Sequence, residues 1–89
     1  MRSRTTAQFR KQLSGLPEDV QRQAKNAYQR FKHDPWHNSL RFKQVHPSQP
    51  LYSVRITRGY RAVGKRDDKG MLWFWIGSHS DYDKLLLQQ

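Results

Sequence analysis

Tyr52-Ser53-Val54-Arg55-Ile56-Thr57-Arg58-Gly59-Tyr60-Arg61-Ala62-Val63 decides the fold. On both sides of Thr57-Arg58-Gly59 the residues alternate with the period of two that a strand imposes, because successive side chains point to opposite faces. A break of that length containing glycine joins antiparallel neighbours, so strands over 51–57 and 60–66 form a hairpin. Upstream, Leu40-Arg41-Phe42-Lys43 alternates in the same way and predicts a strand near 40–45, beyond the loop His46-Pro47-Ser48-Gln49-Pro50. Downstream, Asp67-Asp68-Lys69-Gly70 turns the chain into Met71-Leu72-Trp73-Phe74-Trp75-Ile76, a strand over 71–77. That strand is apolar on both faces, which places it centrally or under cover from both sides.

Before residue 36 the period is helical. Thr6 is a suitable N-cap for a helix that runs through Phe9 and Leu13 and breaks at Ser14-Gly15. A second helix restarts with Pro17 at its first position and Glu18 and Asp19 near the positive end of its dipole, and Asp34-Pro35 closes it. Val20, Ala24, Ala27, Tyr28 and Phe31 recur at three and four residues and make one apolar stripe, which reads as core. After the last strand, 81–87 can form a short helix capped by Ser78 or Ser80, with Leu85, Leu86 and Leu87 returning to the sheet. Arg2 to Thr5 can add a strand. The expected fold is α+β, a single domain over 1–89: an N-terminal helical hairpin packed on a small, mainly antiparallel sheet of about four to five strands.

The charge distribution bears on partners. The chain has 89 residues and a net charge of +10, from 17 Lys and Arg against 7 Asp and Glu. Between Pro35 and Arg66 there is no acid at all, while Arg41, Lys43, Arg55, Arg58, Arg61, Lys65 and Arg66 all fall there. On strands such cations sit at fixed spacings, so a polyanionic partner is expected, with nucleic acid and ribosome ahead of a membrane surface. Three Trp, four Tyr and four Phe argue against disorder despite the charge. No apolar run approaches the ~20 residues of a membrane span, and Met1-Arg2-Ser3-Arg4 opens no signal-peptide core, so the expected location is cytoplasmic. Without cysteine there is no disulfide framework or thiolate metal cage, and the four histidines lack paired ligand spacing. Neither metal nor other cofactor is expected.

The order of helix hairpin, Ser39-Leu40-Arg41-Phe42-Lys43, Tyr52-Ser53-Val54-Arg55-Ile56, Gly59-Tyr60-Arg61-Ala62-Val63 and Trp75-Ile76-Gly77-Ser78-His79 resembles the RelE/ParE-type toxins of bacterial toxin–antitoxin pairs over nearly the whole chain. The resemblance implies helices on one sheet face, with the other face open as the site of a ribosome-dependent endoribonuclease that cuts messenger RNA. It also implies a cognate antitoxin whose acidic segment wraps the basic face, and possible higher-order toxin–antitoxin complexes. Two patterns found in relatives are missing here: alternating lysines on the strand that reads Tyr52-Ser53-Val54-Arg55, and a glutamate near the first central strand. Branches that poison DNA gyrase by binding, and inactive antitoxin-binding or nucleic-acid-binding modules, are the alternative.

Metal-free RNA cleavage must deprotonate the 2′-hydroxyl, stabilise the phosphorane charge and protonate the leaving oxygen. Arg61 suits the charge clamp, because a guanidinium bonds phosphate oxygens in a planar fork. Its plain alternative is a solvated strand arginine. Arg55 points away from the face of Val54 and Ile56 and can stand beside Arg61 across the ladder. His79, at the end of the last strand, is the one obvious acid or base, or else a capping histidine. Tyr82 can stack on a base, donate through its hydroxyl, or simply pack. Arg41 and Lys43, expected on one face of their strand, extend an RNA-binding track, and Arg58 and Lys65 near the turns add diffuse attraction.

Overall fold

The computed structural model describes residues 1–88. Its elements are β1 (Ser3–Thr5), α1 (Ala7–Ser14), α2 (Glu18–His33), a 3-10 turn (Asn38–Leu40), β2 (Lys43–Gln44), β3 (Leu51–Thr57), β4 (Tyr60–Asp67), β5 (Gly70–Ser78) and α3 (His79–Leu87). One sheet runs in the order β1-β5-β4-β3-β2, antiparallel except where β1 pairs parallel with β5. The α+β fold expected from the sequence is thus the fold found.

Local chemistry explains most boundaries. Thr6 caps α1 by accepting from the Phe9 amide at 3.1 Å. Pro17 lies one place outside α2 rather than in its first position: its backbone is extended at ψ 148°, and its carbonyl accepts the first helical bond, from Gln21. No side chain caps α2, so Glu18 and Asp19 in its first turn supply the negative charge there. α1 lies over β5 and α2 over β3. Phe31, Phe42 and Trp73 meet edge to face beneath them, with centroids 5.0 and 5.3 Å from Phe31.

The strand expected near 40–45 is the main correction. Leu40 instead belongs to the 3-10 turn, which drops its side chain to 2 % exposure in the core, and Arg41 then adopts a left-handed backbone at φ 47°. That conformation costs a non-glycine residue roughly 1 kcal/mol and breaks any alternation before Phe42. Lys43 and Gln44 pair in register with β3, and the Val45 amide adds a bond to the Leu51 carbonyl at 2.8 Å. The expected shared face of Arg41 and Lys43 therefore does not form. Similarly, Leu85 and Leu86 turn partly inward, whereas Leu87 is 87 % exposed and does not return to the sheet.

β5 explains its own composition. Val63 pairs with Trp75 but Gly64 pairs with Trp73, so Phe74 is an extra residue without a partner on β4. Such a bulge reverses the alternation. Trp73 consequently joins the helix-side core, its indole nitrogen donating to the Ser3 hydroxyl at 2.8 Å, and Trp75 faces the opposite side beside Tyr82. Beyond the end of β1, the Ile76 amide of β5 donates to the Gln12 side chain at 3.1 Å.

Gly64 lies opposite the bulge, where an added Cβ would stand 2.8 Å from the Leu72 carbonyl oxygen, the Met71 methyl and the Trp73 ring. Gly64→Ala is therefore expected to cost about 1–3 kcal/mol. Gly59→Ala, which meets nothing within 4 Å, should stay within about 0.5 kcal/mol of the parent. Urea denaturation of the two variants checks this, and equal midpoints would contradict the crowding.

Candidate functional site

Opposite α1 and α2, the sheet presents Ser53 and Arg55 from β3 and Arg61 and Val63 from β4. Arg55 and Arg61 are direct register partners, as are Ser53 and Val63. Cross-strand partners stand ~5 Å apart at Cα, so two guanidinium side chains leave the sheet side by side. Gly77 of β5 faces Arg61 on its other flank, with the Trp75 ring lying over that glycine.

Arg61 is held rather than free. Its Nη1 donates to the carbonyls of Thr57 at 2.6 Å, Tyr60 at 2.9 Å and Arg58 at 3.2 Å, which ties the guanidinium to the β3–β4 turn. Its Nη2 and Nε make no hydrogen bond among the described residues. Burial, followed by the neighbouring Arg55 charge, pushes the Arg61 pKa below its ordinary value. Arg41 acts in the same direction from further off, and Tyr82 and Asp83 oppose it. The group remains cationic at neutral pH.

The third element is α3. Its N-cap Ser78 accepts from the Asp81 amide at 3.2 Å, and the His79 amide donates to the Gly59 carbonyl at 2.8 Å. That bond fixes His79 to the turn that holds Arg61. The imidazole is exposed, with Nε2 3.5 Å from the Asp83 carboxylate. Tyr82 is 6 % exposed, and its hydroxyl donates to the buried Ser53 hydroxyl at 3.1 Å. Of the alternatives open to Tyr82, this geometry matches packing: the ring pins α3 to the sheet, and the donor is already used.

The structure therefore gathers Arg55, Arg61, His79 and Tyr82 on one face, with the Arg41 charge near enough to act on Arg61. Lys43 lies on edge strand β2, paired with Ser53, and Arg58 is exposed in the turn. Lys65 pairs with Leu51 and Leu72 near the far end of β4 and does not approach the arginine pair. Asp83 escaped the sequence reading. The i, i+4 spacing from His79 within an expected helix was its available signal. Among the described residues no group of three or more His, Asp or Glu is placed to hold a metal, and no helix is long and apolar enough to cross a membrane.

The chain is thus a small sheet with two helices on one face and clustered cations on the other. A family model described as a ParE-like toxin domain matches residues 18–84, and the chain belongs to that family. The RelE/ParE-type resemblance in the sequence is accordingly real. The fold is similar to RelE in the RelB–RelE antitoxin–toxin complex of Methanococcus jannaschii, with TM-score 0.73 and 16 % identity over 91 % of this chain and 96 % of that one. It is similar to YafQ from E. coli strain BL21(DE3), with TM-score 0.72 and 12 % identity over 91 % and 96 %. The isolated E. coli RelE toxin matches at TM-score 0.63 and 17 % identity over 97 % and 95 %. No curated protein matches by sequence.

Two like charges directly opposite on neighbouring strands oppose folding. Arg55→Gln should therefore raise stability by about 0.2–1 kcal/mol at low salt, with the gain shrinking at 0.5 M salt as screening replaces the substitution. Denaturation at both ionic strengths reads this, and a destabilised Arg55→Gln variant would show that the pair does not repel.

Proposed function

We propose that this chain is the toxin of a toxin–antitoxin pair and acts in the cytoplasm as a ribosome-dependent, metal-independent endoribonuclease on messenger RNA. The observation that carries the reading is the facing pair Arg55 and Arg61, with His79 bonded through its backbone to the turn that holds Arg61. A pair of cations that close favours an anion between them, and a scissile phosphate supplies one whose charge grows in the transition state. In the reaction the 2′-oxygen bonds to phosphorus as the bond to the 5′-oxygen breaks. One proton leaves the 2′-hydroxyl and one reaches the 5′-oxygen, so the products are a cyclic phosphate and a free 5′-hydroxyl.

Arg61 is assigned to the developing charge through Nη2 and Nε, and Arg55 to the other side of the phosphate. His79 is the imidazole beside them, suited to either proton transfer, with Asp83 as its acceptor partner. Tyr82 supports α3 and flanks the site. Arg41, Lys43, Arg58 and Lys65 supply the wider attraction to ribosomal and messenger RNA. The cognate antitoxin carries an acidic segment that covers this face and gains affinity as it folds.

One observation favours a second reading, a binding toxin of the gyrase-poisoning branch: Arg61 Nη1 is already spent on three carbonyls. Primer extension on a defined message in a purified translation system separates the two. New 5′ ends are expected only with ribosomes present, falling at least about 100-fold with Arg61→Ala whose circular dichroism is unchanged. Tyr82→Phe is expected to keep cleavage within about tenfold. An intact message with the parent chain, alongside growth arrest in cells, would sink the nuclease reading in favour of gyrase.

A further inference from the structure

Trp36 is 58 % exposed, although the Phe42 ring and an arginine hold it in place. Its ring lies 4.9 Å from Phe42, which is itself stacked 4.9 Å from Tyr52 and anchored edge to face on the buried Phe31. Arg66 lies over both outer rings, 5.9 Å from the Trp36 centroid and 5.5 Å from that of Tyr52. Among the described residues this guanidinium has no carboxylate partner, and it donates to the Tyr52 hydroxyl at 3.4 Å. An indole so fixed loses little freedom when something stacks on it.

We propose that Trp36, backed by Phe42 and Tyr52 and clamped by Arg66, is a stacking platform for an unpaired RNA base. Charge favours nucleic acid over a protein occupant: all four residues fall within the acid-free stretch of the sequence, and the chain as a whole is strongly cationic. An exposed aromatic beside an unpaired arginine matches a base and its phosphate. The platform is separate from the Arg55–Arg61 pair. Arg61 and Arg66 are five residues apart on β4, ~17 Å along the strand, and an odd offset places them on opposite faces. RNA held there would extend beyond the site of chemistry, so the inference adds a second contact to the RNA-acting reading.

The test is equilibrium binding of a labelled 12-nucleotide oligouridylate and of an abasic oligomer of the same length and charge. The full chain is expected to prefer the base-bearing oligomer by about tenfold or more. Trp36→Ala should abolish the preference without changing the salt slope, Trp36→Phe should retain most of it, and Arg66→Gln should lower both affinity and slope. Equal binding of the two oligomers by the parent overturns the proposal. So does a folded Trp36→Ala that keeps the preference, which would assign the exposed indole to a protein interface. Should Trp36→Ala not fold, acrylamide quenching in the parent decides: oligouridylate must shield an exposed tryptophan that the abasic oligomer leaves open. The two readings fail separately, because a chain that cuts no message yet keeps the preference loses the nuclease and retains the platform.

Discussion

The single unpaired residue Phe74 governs how this sheet is used on both faces. A regular strand would send Trp73 and Trp75 to the same side. With the bulge, Trp73 closes the core under α1 and α2, while Trp75 packs near Tyr82, and Ser53 receives the Tyr82 hydroxyl that anchors α3. Each face thereby acquires its own cover from one strand. Gly64 across the bulge answers the same constraint, since its missing side chain makes room for the displaced Leu72 carbonyl and the Trp73 ring. Position of the candidate site follows from this, because α3 brings His79 to the Arg61 turn only if its anchoring face exists.

Electrostatics at that site run against folding. Arg55 and Arg61 repel each other, and no carboxylate bridges them among the described residues. Backbone carbonyls of Thr57, Arg58 and Tyr60 substitute for an anion on one side of Arg61 only. Local arrangements that oppose stability concentrate where a protein binds something, and the left-handed Arg41 beside them is a second such arrangement. A bound polyanion, whether nucleic acid or an acidic peptide, would relieve the repulsion and so stabilise the folded chain.

How far the sequence shows this depends on whether local or tertiary forces decide. The hairpins around Arg58-Gly59 and Lys69-Gly70, the Thr6 cap and the stripe of α2 follow from residues close together, and all are present in the structure. Leu40 and Arg41 defeat the reading because burial of Leu40 beneath the sheet edge outweighs the strand alternation around it. Phe74 was invisible as a bulge, since an all-apolar run has no alternation to interrupt. At the site, strand parity alone brought Arg55 beside Arg61. The backbone bond from His79 to Gly59, the burial of Tyr82 and the nearness of Asp83 depend on how α3 docks, which no local pattern encodes.

β1 pairs parallel with β5, and its Ser3 is held from two sides, the hydroxyl by Trp73 and the carbonyl by the Tyr28 hydroxyl at 2.8 Å. Partners 70 residues apart close late, because a long loop must be ordered before the contact repays it. The meander of β3, β4 and β5 needs only short turns and can zip ahead of them. During synthesis β1 is therefore made well before its partner, and its edge of the sheet stays open until residues 71–73 have emerged. β1 thus acts as a clasp, fastened only once β5 exists.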